Sequence, residues 1–318
     1  MKVCVIKTSS MGDIIHTLPA LTDAQIAIPN LSIDWVVEEN FTEIPRWHSA
    51  VKQIIPIALR RWRKSPFSAQ TKNEWKSYRT LLQANQYDAV IDAQGLFKSA
   101  FFATRLANGI KHGYDRKSIR EPIASFFYDK KYAISYQQHA VERIRQLFAQ
   151  SLGYKLPQVR GDYGIARHFL HQTLEKNYVV FIHSTTRADK HWEESEWQKL
   201  IEKITALSDY EIRLPWGNEQ EKARAERLAQ VHSNVIVLPK LTLTELAKQL
   251  ANAKAVVSVD TGLAHLTAAL DKPNITLYGA TDPTLIGCYG QNQHYLTANT
   301  MENITSDQVF SSLNLLIK

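Results

Sequence analysis

The chain is 318 residues long, carries 38 Lys and Arg against 31 Asp and Glu for a net charge of +7, and is 44% hydrophobic. Such a composition buries a core and excludes disorder, a collagen-like fibre and a disulfide miniprotein; at roughly 100–200 residues per domain it predicts one large or two medium domains. Cys4 and Cys288 stand far apart in sequence, so neither a CxxC zinc framework nor a redox pair is available and a reducing compartment is expected.

Met1 to Lys7 hold one short apolar run before polar Thr8-Ser9-Ser10, which predicts no signal peptide, and no window approaches the roughly 18 apolar residues of a membrane span. Val3-Cys4-Val5-Ile6 reads as a strand, followed by a polar turn with Gly12 and by helical spacing at Ile14, Leu18 and Leu21. Ile33 to Val37, Ile54 to Ile57 and Ala89 to Asp92 read as further buried strands, with a helix around 71–85 between the last two. Gly153, Pro157, Gly161 and Gly164 punctuate the next stretch, and a second series follows at 179–182, 211–214, 235–238, 255–259 and 275–278. Strands alternating with helices predict mostly parallel sheets, here in two doubly wound α/β domains with a boundary near 155–175. Val309, Phe310, Leu313, Leu316 and Ile317 have helical spacing and form an element that could cross back to the first domain.

The charge is uneven. Residues 1–160 hold 23 Lys and Arg and 13 Asp and Glu, net +10, whereas 161–318 hold 15 and 18, net −3. A basic half suits an anionic partner such as nucleic acid, a membrane surface or a phosphorylated substrate.

No two of the 12 glycines stand two apart, so the GxGxxG dinucleotide fingerprint is absent and a nicotinamide enzyme is not expected. Walker A, HExxH and GxSxG are absent too, and no DxD pair is present to hold a metal-bound diphosphate. Diphosphate charge would have to be met by helix ends, hydroxyls and basic side chains.

Five segments remain that could carry chemistry. Lys7-Thr8-Ser9-Ser10-Met11-Gly12-Asp13 follows the first strand, where open α/β sheets bind ligands; Asp13 could accept a substrate proton or could simply cap its helix. Ser258 to His265 again joins a strand to a helix, whose amino terminus offers free N–H groups to an anion; Thr261 could serve that site or only cap the helix, with His265 on the same face. After the strand at 179–182, Thr185, Thr186 and Lys190 suit diphosphate oxygens, unless this is a plain surface loop. Glu221, past Pro215-Trp216-Gly217, could hold ribose hydroxyls. Arg60-Arg61-Trp62-Arg63-Lys64, with Arg116, Lys117 and Arg120 later in the same half, could grip a carboxylate or phosphate or be a solvated charge run. No known nucleic-acid motif accompanies these cations.

Taken together, Lys7 to Asp13 with His16 to Leu21, Arg60 to Lys64, Asp88 to Gly95, Lys190-His191-Trp192 and Val259 to Thr267 resemble the bacterial lipopolysaccharide heptosyltransferase I family over nearly the whole chain. The resemblance implies the GT-B fold, an α/β architecture of two doubly wound Rossmann-like domains facing each other across a cleft. It implies an inverting, metal-independent enzyme without a cofactor that moves L-glycero-D-manno-heptose from ADP-L-glycero-D-manno-heptose to the inner Kdo of Kdo2-lipid A in inner-core synthesis. By the same resemblance, residues 1–165 hold the acceptor, with the helix 304–318 an element that could rejoin them, and 166–303 hold the nucleotide sugar. Asp13 is then the general base and Lys190 the diphosphate anchor. Thr185, Thr186, Glu221, Leu241, Asp260, Thr261, Gly262 and His265 complete the donor site, and Ser10, Arg60, Arg61, Arg63, Lys64 and Arg120 bind the acceptor. The location implied is cytoplasmic, peripheral on the inner face of the inner membrane through contact with anionic lipid, with no nucleic-acid partner. A transferase adding the second heptose and a non-enzymatic binder of anionic lipid are the competing readings.

Overall fold

The computed structural model describes residues 1–169 and 177–317. Residues 170–176, inside the second predicted domain, and Lys318, the last residue of the predicted terminal helix, lie outside the described residues. The chain divides into two compact units, Met1–Gly164 and Ile165–Lys318.

In the first unit the strands β1 (Lys2–Ile6), β2 (Ser32–Glu38), β3 (Val51–Ile57), β4 (Ala89–Asp92), β5 (Lys111–Tyr114) and β6 (Lys130–Tyr132) form a sheet of order β3-β2-β1-β4-β5-β6. In the second, β7 (Tyr178–Ile182), β8 (Glu211–Leu214), β9 (Val235–Val237), β10 (Ala255–Val259), β11 (Asn274–Tyr278) and β12 (Gln293–Thr297) take the order β12-β11-β10-β7-β8-β9. Every pairing in both sheets is parallel. Helices on both faces bury the central strands completely, so Val3 to Ile6 and Val256 to Val259 read as unbroken apolar runs instead of alternating ones. The order reverses between β1 and β4 in one sheet and between β7 and β10 in the other. Doubly wound sheets bind ligands at that point, beyond the carboxyl ends of the strands.

Three strands went unrecognised in the sequence. β6 and β12 are edge strands with exposed polar residues, and β5 is the four-residue stretch Lys-His-Gly-Tyr beside an edge, so none has the apolar signature. The helix expected through Ile14, Leu18 and Leu21 is two helices, Met11–Ile15 and Leu18–Ala27. Pro19 sits in the first turn of the second, where a missing N–H costs nothing.

The terminal helix, Ser306–Ile317, corrects the expectation that it crosses back. It packs on helix Glu194–Leu207 and on β10, β11 and β12, with Val309 and Leu313 fully buried in the second unit's core. Trp192 and Trp197 anchor that core with ring centroids 4.9 Å apart, and Trp192 Nε1 donates to Ile304 O at 2.8 Å. Both cysteines are buried and free. Among the described residues no helix is long and apolar enough to cross a membrane.

Each unit buries a neutral imidazole. Burial pushes His48 in the first and His183 in the second down to about 4, with Arg224 adding to the effect at His183. An imidazole in the unfolded chain titrates near about 6.5. Between about 4 and 6.5 the unfolded state therefore binds more protons, so stability is complete above that window and falls as pH drops through it. Each histidine is expected to remove about 3 kcal/mol by pH 4. Thermal melts across this range check it: Tm falls for the wild type and falls less for His48→Gln and His183→Gln.

Candidate active site

At the reversal in the first unit, the loop after β1 is tied to the loop after β4. Gln94 Oε1 accepts from Thr8 N at 2.9 Å and Ser9 N at 3.1 Å, while Lys7 Nζ donates to Ala93 O at 3.0 Å. Asp92, fully buried at the end of β4, holds the second loop. It accepts from Gln94 N and Gly95 N at 3.0 Å each, from Thr104 Oγ1 at 2.8 Å and from Tyr128 OH at 3.0 Å. Burial raises its pKa against those donors. Gly95, at φ +68°, makes the turn that brings its N–H to Asp92.

Asp13 stands on this platform. Ser10 N and Ser10 Oγ both donate to its Oδ2 at 2.9 Å, so Asp13 does cap its helix, with one oxygen. Its other oxygen faces Lys7 Nζ at 3.7 Å, and the side chain remains 46% exposed. Lys7 is almost entirely buried; desolvation lowers its pKa, opposed by Asp13 and Asp92. A carboxylate fixed by two donors, faced by a buried ammonium and still open to solvent can take a proton from an approaching hydroxyl. Lys7, Asp92 and Gln94 were not singled out in the sequence, although each lies in a segment that drew attention.

The cationic segment does not act as one cluster. Arg60 and Arg63 line a cavity of about 410 Å³ together with Glu38, Lys72, Lys98, Trp62, Trp75 and Phe102. Burial raises the Glu38 pKa, against the pull of Arg60. Arg61 is taken up by carboxylates, with Nε and Nη2 donating to Glu39 at 3.0 and 2.9 Å and Nη1 to Glu74 at 3.1 Å. Lys64 and Arg120 are exposed and line no part of this cavity, whereas Ser10 lies at Asp13. Removing Arg60 and Arg63 is therefore expected to raise the acceptor KM more than Arg61→Ala does, with donor KM unchanged in both. Steady-state kinetics with each substrate varied checks the ranking.

At the reversal in the second unit, β7 and β10 lie side by side and their following loops meet. Lys190 is ion-paired with Asp260 Oδ2, and Thr185 Oγ1 donates to Asp260 O at 3.3 Å. His191 braces the same loop. Arg224 Nη1 donates to its Nδ1 at 2.8 Å, which leaves the proton on Nε2 to bond Thr185 O at 2.9 Å. Arg224 also donates to Trp192 O, and it is a contributor with no local sequence signal.

Thr261 caps helix Gly262–Ala269 by backbone position alone, and its hydroxyl makes no bond to the helix's own N–H groups. Those groups and Gly262 follow the carboxyl end of β10, and a helix amino terminus is a favourable position for an anion. His265 is buried one turn further on, and Thr186 is exposed in the β7 loop. Glu221 accepts from Gly217 N at 2.7 Å and from Asn218 Nδ2 at 2.9 Å, bracing the turn after β8. Leu241 is half-buried beyond β9, before helix Leu243–Asn252. The structure thus joins Thr185, Lys190, Asp260, Thr261 and Gly262 directly and sets Glu221 and Leu241 at successive strand ends of the same sheet.

Comparison with known proteins bears on this arrangement. The sequence profile described as glycosyltransferase family 9 (heptosyltransferase) matches residues 75–313. Lipopolysaccharide heptosyltransferase 1 of Salmonella typhimurium is 58% identical over 318 residues, 99% of this chain and 100% of that protein. The solved structure of E. coli heptosyltransferase WaaC with ADP is 57% identical, has a TM-score of 0.97 and covers 99% of this chain and 100% of its own. The E. coli WaaC structure with ADP-2-deoxy-2-fluoro heptose is 56% identical, with a TM-score of 0.94 and 99% coverage of both chains.

Proposed function

Because the chain belongs to glycosyltransferase family 9, the heptosyltransferases, we propose that it moves L-glycero-D-manno-heptose from ADP-heptose to the inner Kdo of Kdo2-lipid A, inverting the anomeric carbon without a metal. It is a glycosyltransferase of the two-domain GT-B class, and heptose transfer in lipopolysaccharide inner-core synthesis is its function. The acceptor is assigned to the first unit and the nucleotide sugar to the second. Its place of work is the cytoplasmic face of the inner membrane, held peripherally.

The observation that carries the donor assignment is the Lys190–Asp260 pair beside the amino end of helix Gly262–Ala269. In the proposed reaction a Kdo hydroxyl gives its proton to Asp13 as its oxygen bonds the anomeric carbon. The bond from that carbon to the diphosphate oxygen breaks on the opposite side, and ADP leaves with the electron pair. Lys190 and the helix amino end meet the charge that appears on the diphosphate. One displacement inverts the centre and needs no covalent intermediate.

ADP release from ADP-heptose, with and without Kdo2-lipid A and in the presence of a chelator, tests the reading. The expected result is release that requires the acceptor and ignores the chelator. Release only with an acceptor that already bears a heptose would assign the second addition instead, and acceptor-independent release would remove Asp13 from its role.

A further inference from the structure

The first unit carries an apolar surface that the proposed chemistry does not use. Helix Phe97–Phe102 packs on the 3-10 turn Pro122–Phe127, and their rings form one cluster. Phe97 stacks on Phe101 with centroids 5.5 Å apart, and Phe127 approaches the two at 6.0 and 6.2 Å. Ile123 and Phe126 stand three apart in the turn, which puts them on one face. They are 53% and 72% exposed, and Phe97 is 39% exposed. Large side chains left this open together cost solvation that a lone surface residue does not, and they mark a surface with a partner.

The charges around the rings identify the partner. Lys98 follows Phe97 in the helix, Arg105 lies over Phe101 and Arg120 stands two residues before the turn; all three are exposed. The Arg105 guanidinium lies 3.6 Å from the Phe101 ring centroid, and its Nε donates to Phe101 O at 2.6 Å. Glu121, the nearby acid, accepts from Phe97 N at 2.6 Å, so its charge is held at the start of the helix. Aromatic rings with flanking cations match the headgroup region of an anionic bilayer, where rings enter the interface and cations meet the lipid charge. Lys98 and Phe102 of the same helix also line the cavity that holds Arg60 and Arg63.

We propose that Phe97, Ile123 and Phe126, with the exposed cations Lys98, Arg105 and Arg120 of the same two elements and their flanks, dock this chain on an anionic lipid bilayer. The proposal rests on the reading of the acceptor as a membrane lipid. It adds a route, since a lipid leaving the bilayer at this helix meets the basic cavity on the same helix.

Vesicle co-sedimentation tests it, using phosphatidylcholine alone and phosphatidylcholine mixed with phosphatidylglycerol. Wild-type protein is expected to bind the anionic vesicles, less so as salt rises. Phe97→Ser combined with Phe126→Ser is expected to weaken that binding about tenfold or more. Turnover of deacylated, water-soluble acceptor is expected to be the same in both proteins. Phe126→Ser alone, at the most exposed ring, serves where the double variant fails to fold. Equal vesicle binding by variant and wild type would overturn the surface, as would wild-type protein that stays off both vesicles, which would leave the rings to a protein partner. Failure of the proposed function reads differently: neither protein would turn over the deacylated acceptor.

Discussion

Asp13→Asn is expected to lower kcat by a factor of about 10²–10⁴ while the affinity for ADP stays near that of the wild type. Asparagine retains an oxygen that can accept from Ser10 N and Ser10 Oγ, so the loop after β1 keeps its shape. What disappears is the negative charge and with it the proton acceptor. Capping is thus separated from catalysis: if Asp13 only closed the capping box from N3, asparagine would serve nearly as well, because its amide oxygen can accept from the N-cap N–H. Two controls sharpen the result. Ser10→Ala removes one donor to Oδ2 and is expected to reduce kcat far less than Asp13→Asn does. Lys7→Met removes the buried ammonium 3.7 Å from Oδ1, which favours the carboxylate over the acid. The acidic limb of its kcat/KM profile is expected to move to higher pH. Wild-type turnover in Asp13→Asn would leave the proton with another group and return Asp13 to a purely structural part.

The strands at the centres of the two sheets were legible because burial on both faces demands continuous apolar runs, as in Val179 to Ile182. β12 was not, since at the edge it pairs only with β11 and most of its residues stay open to solvent, where they can be polar. The loops of the candidate site stood out for a related reason. Chemistry in these sheets gathers at strand carboxyl ends, so polar residues directly after an apolar run stand out. Partnership was what local sequence could not show. Four cations in five residues look alike until Glu39 and Glu74, 22 and 13 positions away, claim Arg61 and leave Arg60 and Arg63 to the cavity. Gln94 catches two N–H groups about 85 residues distant, and Arg224 sets the His191 tautomer from 33 residues away. The terminal helix followed the same rule. Its apolar spacing was plain, but the face it covers is fixed by Trp192, Trp197 and the second sheet.

Lys190→Ala is expected to weaken ADP binding about 10–100-fold and to lower kcat as well, the range that follows from losing a hydrogen bond between charged groups worth about 1.5–3 kcal/mol. The effect is larger than for an ordinary surface lysine because the truncation leaves the Asp260 carboxylate, which is largely buried, without its partner and facing an anionic ligand. The Lys190 ammonium is held by Asp260, so a diphosphate must share that cation with the carboxylate. Asp260→Asn separates the two contributions. It frees Lys190 from the ion pair and removes a repulsive charge, so ADP is expected to bind at least as tightly as to the wild type if Asp260 only holds the lysine. If Asp260 accepts a hydrogen bond from the donor sugar, the same variant binds ADP normally but loses affinity for ADP-heptose. Calorimetric titration of both ligands into both variants resolves these cases. Wild-type ADP affinity in Lys190→Ala would remove the lysine from the donor site and leave the amino end of helix Gly262–Ala269 as the anion's principal support.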